Sequence, residues 1–360
     1  MKIYVLANFG PFCSVGGSES VIKNIAEILT KDYGYEINVH SFNCKSSFCE
    51  NGVKYFPCEK GNEFIFQINQ NDSIFIYSDS FWGFDTLLHN INKINCKIFL
   101  SLVGAYHLQS HPESLNLLKK NINKFNLSCH AKGCDYQLCM INNLKVDIIP
   151  NGVNLSEFRE NKIDFRKKYN IKKKYIILSI SNFFYGKGQE HIADIEEKLN
   201  KERDDFKIIQ ISHSVDYPYD KIFREKAIKK CKNTNTLFLR DISRKDVVSA
   251  FLYSDIFLFP SKKEVFPLVI NECRAAKLPW IALDVGNITE QKGGIVIYHK
   301  RKDYKGYVII DNSIIKSFAD NINTILNNGN RNKLIESGQE NIEDLDWSNI
   351  CKKYYKVFNL

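Results

Sequence analysis

Apolar residues occur along this chain in short runs separated by longer amphipathic stretches. Residues 3–7 (IYVLA), 73–77 (SIFIY), 97–102 (KIFLSL), 175–180 (YIILSI), 206–211 (FKIIQI), 236–239 (TLFL) and 255–259 (DIFLF) are short and nearly unbroken in hydrophobicity. That pattern predicts strands covered on both faces, as in a parallel sheet. Residues 36–42, 281–283, 294–298 and 308–310 read as further strands, and 53–57 and 64–68 as weaker ones. A helical period runs through 18–30, where Val21, Ile22, Ile25, Ile28 and Leu29 share a side. Others start near Gln189 and at Pro267, and cover 246–253, 314–340 and 347–358. Strands alternating with helices predict open, mostly parallel α/β sheets. A chain of 360 residues is long for one core, so two domains are expected. The Asn151-Gly152 turn signal and the polar, lysine-rich stretch after it place the boundary at 155/156. They leave 1–155 as one domain, 156–340 as the second and 341–360 as a terminal helix.

Composition narrows the class. A hydrophobic content of 44% is that of a globular protein. The opening MKIYVLANFG lacks the apolar length of a secretory signal, and no window has the ~18 apolar residues of a membrane span. The expectation is a cytoplasmic chain with at most weak peripheral membrane association. The eleven cysteines are scattered and odd in number, which suits reduced thiols. Cys129, His130, Cys134 and Cys139 form the densest potential metal group, but their spacing is that of a helix face and no C-x2-C occurs. The net charge of +9 lies wholly in residues 151–360, which carry 37 basic and 28 acidic residues. A basic half suits an anionic small ligand. The chain carries no nucleic-acid motif, and no such partner is expected.

The strongest candidate chemistry lies at 260–279, PSKKEVFPLVINECRAAKLP. A strand ends at Phe259, a loop follows, and a helix opens at Pro267, which has no N–H to lose at a first helical position. Free N–H groups at such a helix start, with the helix dipole behind them, hold anions. Two carboxylates flank that spot, Glu264 and Glu272. They would repel an anion but accept hydrogen bonds from hydroxyls beside it. A phosphate site with two hydroxyl-binding carboxylates describes a nucleotide-sugar pocket. Elsewhere, Gly16-Gly17 lies between a strand and a helix, either as a ligand loop or as a tight turn needing positive φ. His107 lies just past a strand end, with His111 as its competitor.

The run E-x-F-P-L-V-x-x-x-E from Glu264 to Glu272, with PS before it, LP after it and Asp284-Val285-Gly286 beyond, resembles the E-x7-E motif of family 4 of the retaining glycosyltransferases. So do the I-P-N-G-V-N run ending at Asn154 and the S-N-F-F-Y-G-K-G loop ending at Gly188. The resemblance implies a GT-B fold: two Rossmann-like domains with parallel sheets facing an interdomain cleft. It implies transfer of a sugar from a nucleoside diphosphate (UDP or GDP) to a saccharide or glycolipid acceptor. The setting would be surface polysaccharide or lipopolysaccharide assembly at the inner face of the cell membrane, with no cofactor or metal. Glu272 would take the ribose hydroxyls and Glu264 the sugar hydroxyls. Lys187, with backbone groups near Val265, Phe266 and Leu268, would hold the diphosphate. Backbone near Ile242 would meet the base, Gly16 and Gly17 would approach the phosphates and acceptor, and His107 would lie beside the sugar. The sequence departs from the family at Ser181 (usually glycine), Asn182 (usually arginine), Val265 and Lys277 (both usually glycine). A nucleotide-sugar epimerase of the same fold and a catalytically degenerate binding subunit stay open as other readings.

Overall fold

The computed structural model describes residues 1–8, 16–42, 44–58, 63–81, 83–213, 218–231, 235–327 and 329–359. The chain divides into two compact units, Met1–Gly152 with Trp347–Leu360, and Val153–Asp346.

The first unit holds an eight-stranded sheet. In chain order the strands are β1 (Lys2–Ala7), β2 (Glu36–Ser41), β3 (Phe48–Glu50), β4 (Val53–Pro57), β5 (Ser73–Tyr77), β6 (Lys97–Leu102), β7 (Phe125–Cys129) and β8 (Asp147–Ile148). Their order in the sheet is β3-β4-β2-β1-β5-β6-β7-β8. All pairings are parallel except β3 with β4, an antiparallel edge. The apolar runs behave as their composition demands: Ile74, Ile76, Ile98 and Leu100 are fully buried. The terminal helix Trp347–Phe358 belongs to this unit and packs Phe358 edge-on against Phe99, 4.4 Å between ring centroids.

The second unit holds β9 (Tyr175–Ile180), β10 (Phe206–Ser212), β11 (Thr236–Arg240), β12 (Ile256–Phe259), β13 (Trp280–Leu283) and β14 (Gly294–Ile297). The order is β11-β10-β9-β12-β13-β14, all parallel. Succession runs outward from β9 on one side and from β12 on the other. The β9/β12 junction is therefore a topological switch point, where loops from both strands leave the same edge.

Several local expectations are corrected. Residues 64–68 form a 3₁₀ turn, Glu63–Gln67, not a strand. Their aromatic content serves packing, since Phe64 stacks on His40 at 4.2 Å. Val308 makes one isolated bridge with Lys302 in place of a strand at 308–310. The stretch 314–340 is two helices, Asn312–Asn327 and Asn330–Gln339, divided at Gly329, whose φ of 68° no helix continues. The helix expected from Gln189 starts as a 3₁₀ turn and becomes α-helical at Ile192. The strand β7 is not foreseen, because FNLSC carries polar residues within it.

Candidate functional site

The switch point of the second sheet gathers the residues that the motifs singled out there. The loop after β9 carries Lys187 and the loop after β12 carries Glu264, and their side chains form an ion pair with 2.6 Å between Nζ and Oε1. Ser261, fully buried, donates its hydroxyl to the same carboxylate oxygen at 2.5 Å. Both partners are mostly shielded, with 29% of the Lys187 side chain and 10% of the Glu264 side chain exposed, so the pair is stronger than one on an open surface.

Backbone detail explains the convergence. Gly188 has φ 69°, and a Cβ there would lie 2.1 Å from the Pro260 carbonyl oxygen. Only glycine allows the two loops to approach that closely. The Gln189 amide donates to Ser181 Oγ at 2.7 Å and to the Asn182 carbonyl at 2.8 Å, tying the loop's two ends together. Gly286, at φ 58°, lies against the Glu264 and Val265 carbonyls, and the Asn287 N–H donates to the Val265 oxygen at 2.9 Å. Lys262 is a buried cation satisfied locally, paired with Glu190 at 2.9 Å and lying 3.6 Å over the Tyr185 ring.

The helix after this loop spans Leu268–Ala275, and Pro267 is its N-cap with ψ 120°, not its first helical residue. The Leu268 N–H lies in the helix's unbonded first turn, as an anion site requires. Phe266 is buried and Val265 half-buried. The helix ends in a Schellman arrangement: the Leu278 N–H donates to Cys273 O at 2.8 Å and the Lys277 N–H to Arg274 O at 3.1 Å. Lys277 itself occupies the left-handed position, φ 57°.

Glu272 is not open to solvent alone. Arg244, the first residue of the helix Arg244–Tyr253, places Nη1 2.6 Å from Glu272 Oε1 and donates through Nη2 and Nε to Glu157 at 2.8 and 3.0 Å. Burial works against the guanidinium charge, but the two carboxylates outweigh it and hold its pKa above the ordinary arginine value. No sequence signal pointed to Arg244. Ile242, in the loop after β11, is half-buried against the core. The Asn182 side-chain oxygen is 3.4 Å from the His213 N–H.

In the first unit, His107 Nε2 is 2.8 Å from Asp85 Oδ1, and the His111 ring stacks on the His107 ring at 4.1 Å. Burial raises the Asp85 pKa, but the Ser114 hydroxyl, at 2.6 Å, and His107 more than reverse that and hold it low. The short helix Tyr106–Ser110 starts after Ala105, which has φ 41° and no side chain able to cap. The buried Asp79 supplies the cap from the end of β5, accepting from the Leu108 N–H at 2.9 Å, and the buried Asp135 accepts from the Gly104 N–H at 3.0 Å. Sequence reasoning missed both carboxylates, since each bonds across more than 25 positions.

Gly16 is the N-cap of the helix Gly17–Tyr33 with φ −116°, so the pair is not a turn that needs positive φ. The residues before it, 10–15, lie outside the described residues. Among the described residues no group of three or more metal-ligating side chains comes together. His130 is instead a buried residue with Nδ1 2.9 Å from the Ile149 carbonyl. No helix among the described residues is long and apolar enough to cross a membrane.

Comparison with known proteins bears on this arrangement. Residues 161–341, just over half the chain, match the family described as glycosyl transferases group 1. A glycosyltransferase of Methanocaldococcus jannaschii, itself uncharacterized, is 25% identical over 246 residues. The match covers 64% of this chain and 58% of that relative's length. Sucrose-phosphate synthase from Thermosynechococcus elongatus superposes with a TM-score of 0.78 at 15% identity, over 99% of this chain and 98% of that one. The UDP-forming α,α-trehalose-phosphate synthase from Burkholderia xenovorans, in complex with glucose-6-phosphate, gives 0.76 at 11% identity over 100% of both chains. At these identities the likeness is one of fold, and the fold is GT-B, as the motifs implied.

Proposed function

The chain belongs to the glycosyl transferases group 1 family, and from that premise we propose that it is a metal-independent, retaining glycosyltransferase of family 4. It moves a sugar from a nucleoside diphosphate, UDP or GDP, to a saccharide or glycolipid hydroxyl in surface polysaccharide or lipopolysaccharide assembly. The observation that carries the reading is the convergence of Lys187 and Glu264 at the β9/β12 switch point, with Glu272 in the second turn of the helix that follows.

The chemistry follows from charge. Lys187 stands ready as a cation, already desolvated by its pairing with Glu264. A diphosphate competes for that ammonium, and its charge rises as the sugar–phosphate bond breaks, so the lysine interacts more strongly with the transition state than with bound donor. Glu264, freed in part from the lysine, accepts from sugar hydroxyls. Glu272, paired with Arg244, accepts from the ribose. Retention through a covalent intermediate would need a carboxylate nucleophile at the anomeric carbon. Among the described residues none is assigned that role, and the reading is front-face departure in which the leaving phosphate receives the acceptor proton. Two solved relatives of the same fold are described as UDP-forming or as bound with UDP-2-fluoro glucose, which supports a nucleoside diphosphate donor.

The substitution of Asn182 for the usual arginine removes one cation and favours a second reading, a binding subunit without turnover. A thermal-shift panel of UDP, GDP, ADP and their sugar conjugates without added metal, followed by a product assay, separates the readings. Stabilisation by one diphosphate, lost in Glu272→Ala, with transfer from its sugar conjugate, is expected. Tight donor binding with neither transfer nor hydrolysis would establish the binding subunit, and product from donor alone would mark an epimerase.

A further inference from the structure

The second unit carries a hairpin whose surface chemistry the nucleotide-sugar reading does not use. Lys302 and Val308 form an antiparallel bridge, and the tip is closed by the Asp303 N–H donating to Tyr307 O at 2.8 Å and by Gly306 at φ 78°. Both oxygens of Asp303 are engaged. Oδ1 accepts from the Lys305 and Tyr307 N–H groups at 2.9 and 3.0 Å, and Oδ2 from the Tyr185 hydroxyl at 3.2 Å. The hairpin is anchored to the unit by the Val308 N–H on Lys262 O at 3.0 Å and by the Tyr185 ring edge-on to Tyr307 at 5.2 Å. These contacts hold the hairpin in one arrangement.

What it presents is unusual for a surface meant only to meet water. Tyr304 at the tip is 91% exposed, the highest value among the exposed large apolar side chains described, and Tyr298 is 71% exposed. Ile309 on the hairpin and Phe184 on the adjoining loop add apolar area at 40% and 46% exposure. Between and around them stand Lys300, Arg301, Lys302 and Lys305, all exposed, against the spent carboxylate of Asp303 and that of Asp311, whose Oδ2 is 3.5 Å from Arg301 Nη2. Tyrosines amid lysine and arginine match the interfacial layer of an anionic bilayer, where the rings lie at headgroup level and the cations meet lipid phosphate. These side chains are exposed on the hairpin and the loop beside it.

We propose that the hairpin spanning residues 298–309 is a docking surface for an anionic lipid bilayer, with Tyr298 and Tyr304 inserted at headgroup depth and the four cations supplying the charge dependence. The proposal stands apart from the transfer reaction, since vesicle binding needs no donor or acceptor.

The test is co-sedimentation of the full chain with phosphatidylcholine vesicles and with vesicles of equal parts phosphatidylcholine and phosphatidylglycerol. Binding to the anionic vesicles only, at about 0.05 M salt and largely lost at about 0.5 M, is expected. Replacing Lys300, Arg301, Lys302 and Lys305 together by serine should cut partitioning by roughly several hundredfold, since each cation near such a surface contributes about fivefold. Tyr298→Ser with Tyr304→Ser should weaken it severalfold at unchanged charge. All six positions are exposed, so the variants should keep the wild-type melting temperature, which is measured alongside. No binding to anionic vesicles at low salt overturns the proposal, as does equal binding by the four-cation variant. Retention on heparin with no effect of the tyrosine variant overturns it in favour of a soluble polyanion.

Discussion

Replacing Lys277 by glycine should stabilise the protein, although it deletes a whole side chain. Lys277 follows the helix Leu268–Ala275 at the position of a Schellman motif where the backbone must be left-handed, and its φ is 57°. A residue with a Cβ pays roughly 1–2 kcal/mol in that conformation. Glycine removes this strain, but its freer unfolded chain returns about 0.5–1 kcal/mol. A second loss is electrostatic: a cation past a helix C-terminus contributes about 0.3–1 kcal/mol through the dipole. The control is Lys277→Ala, which loses the charge but keeps the Cβ. Glycine should therefore exceed alanine by about 1 kcal/mol, and exceed lysine by a smaller margin. The side chain is exposed, so neither change opens a cavity. The second unit runs from Val153 to Asp346, a size at which 1 kcal/mol moves the melting temperature by about 2–4 °C. Scanning calorimetry of the three proteins is the assay. Equal stability of the glycine and alanine variants would refute the argument, because it would mean that the strain is no larger than the roughly 0.5–1 kcal/mol that glycine's freer unfolded chain takes back.

The remaining predictions concern the site and its supports. Lys187→Ala and Glu272→Ala should each cost on the order of 2–4 kcal/mol in donor binding or transfer. Titration with the identified nucleoside diphosphate and steady-state rates check this, and wild-type values in both variants would remove the site assignment. Gly188→Ala forces a Cβ to 2.1 Å from the Pro260 oxygen at positive φ, and should lower stability by about 2 kcal/mol or more with loss of donor binding; an unchanged denaturation midpoint would show that the two loops can separate freely. Burial pushes the Asp135 carboxyl up to about 6, with the Gly104 N–H opposing and the Asp79 charge adding to it. A folded-state value above the unfolded ~3.9 means a contribution that is fully present below pH ~4 and lost as pH rises towards 6. Asp135→Asn, which keeps an acceptor for Gly104 but cannot titrate, should gain roughly 2 kcal/mol on wild type between those limits in urea titrations; parallel pH curves for the two proteins would count against it.

Much of this protein is determined by the sequence itself. Unbroken apolar runs such as YIILSI and DIFLF have no polar face to show to water, so they become central parallel strands, and Ile176, Ile177 and Leu178 are buried to the last atom. The motif residues fall just past strand ends, because a strand followed by a loop and a helix leaves free N–H groups there. The departure at Lys277 was also legible: the position where glycine is usual is the one with positive φ.

Tertiary structure decided the rest. Lys187 and Glu264 are 77 residues apart, and nothing local in either loop announces the other. They meet because β9 pairs with β12 and not with β11, a choice made by the packing of a whole sheet. Arg244 reaches Glu272 from the start of a helix that the periodicity began two residues later, at Asp246. Asp79 and Asp135 are held in the interior by distant N–H groups at Leu108 and Gly104 that donate to them, and such partners exist only once the strands stand side by side. Periodicity is a property of neighbours in the chain, and charge pairing is a property of neighbours in space. The first can be read along the sequence, while the second waits for the order of the strands.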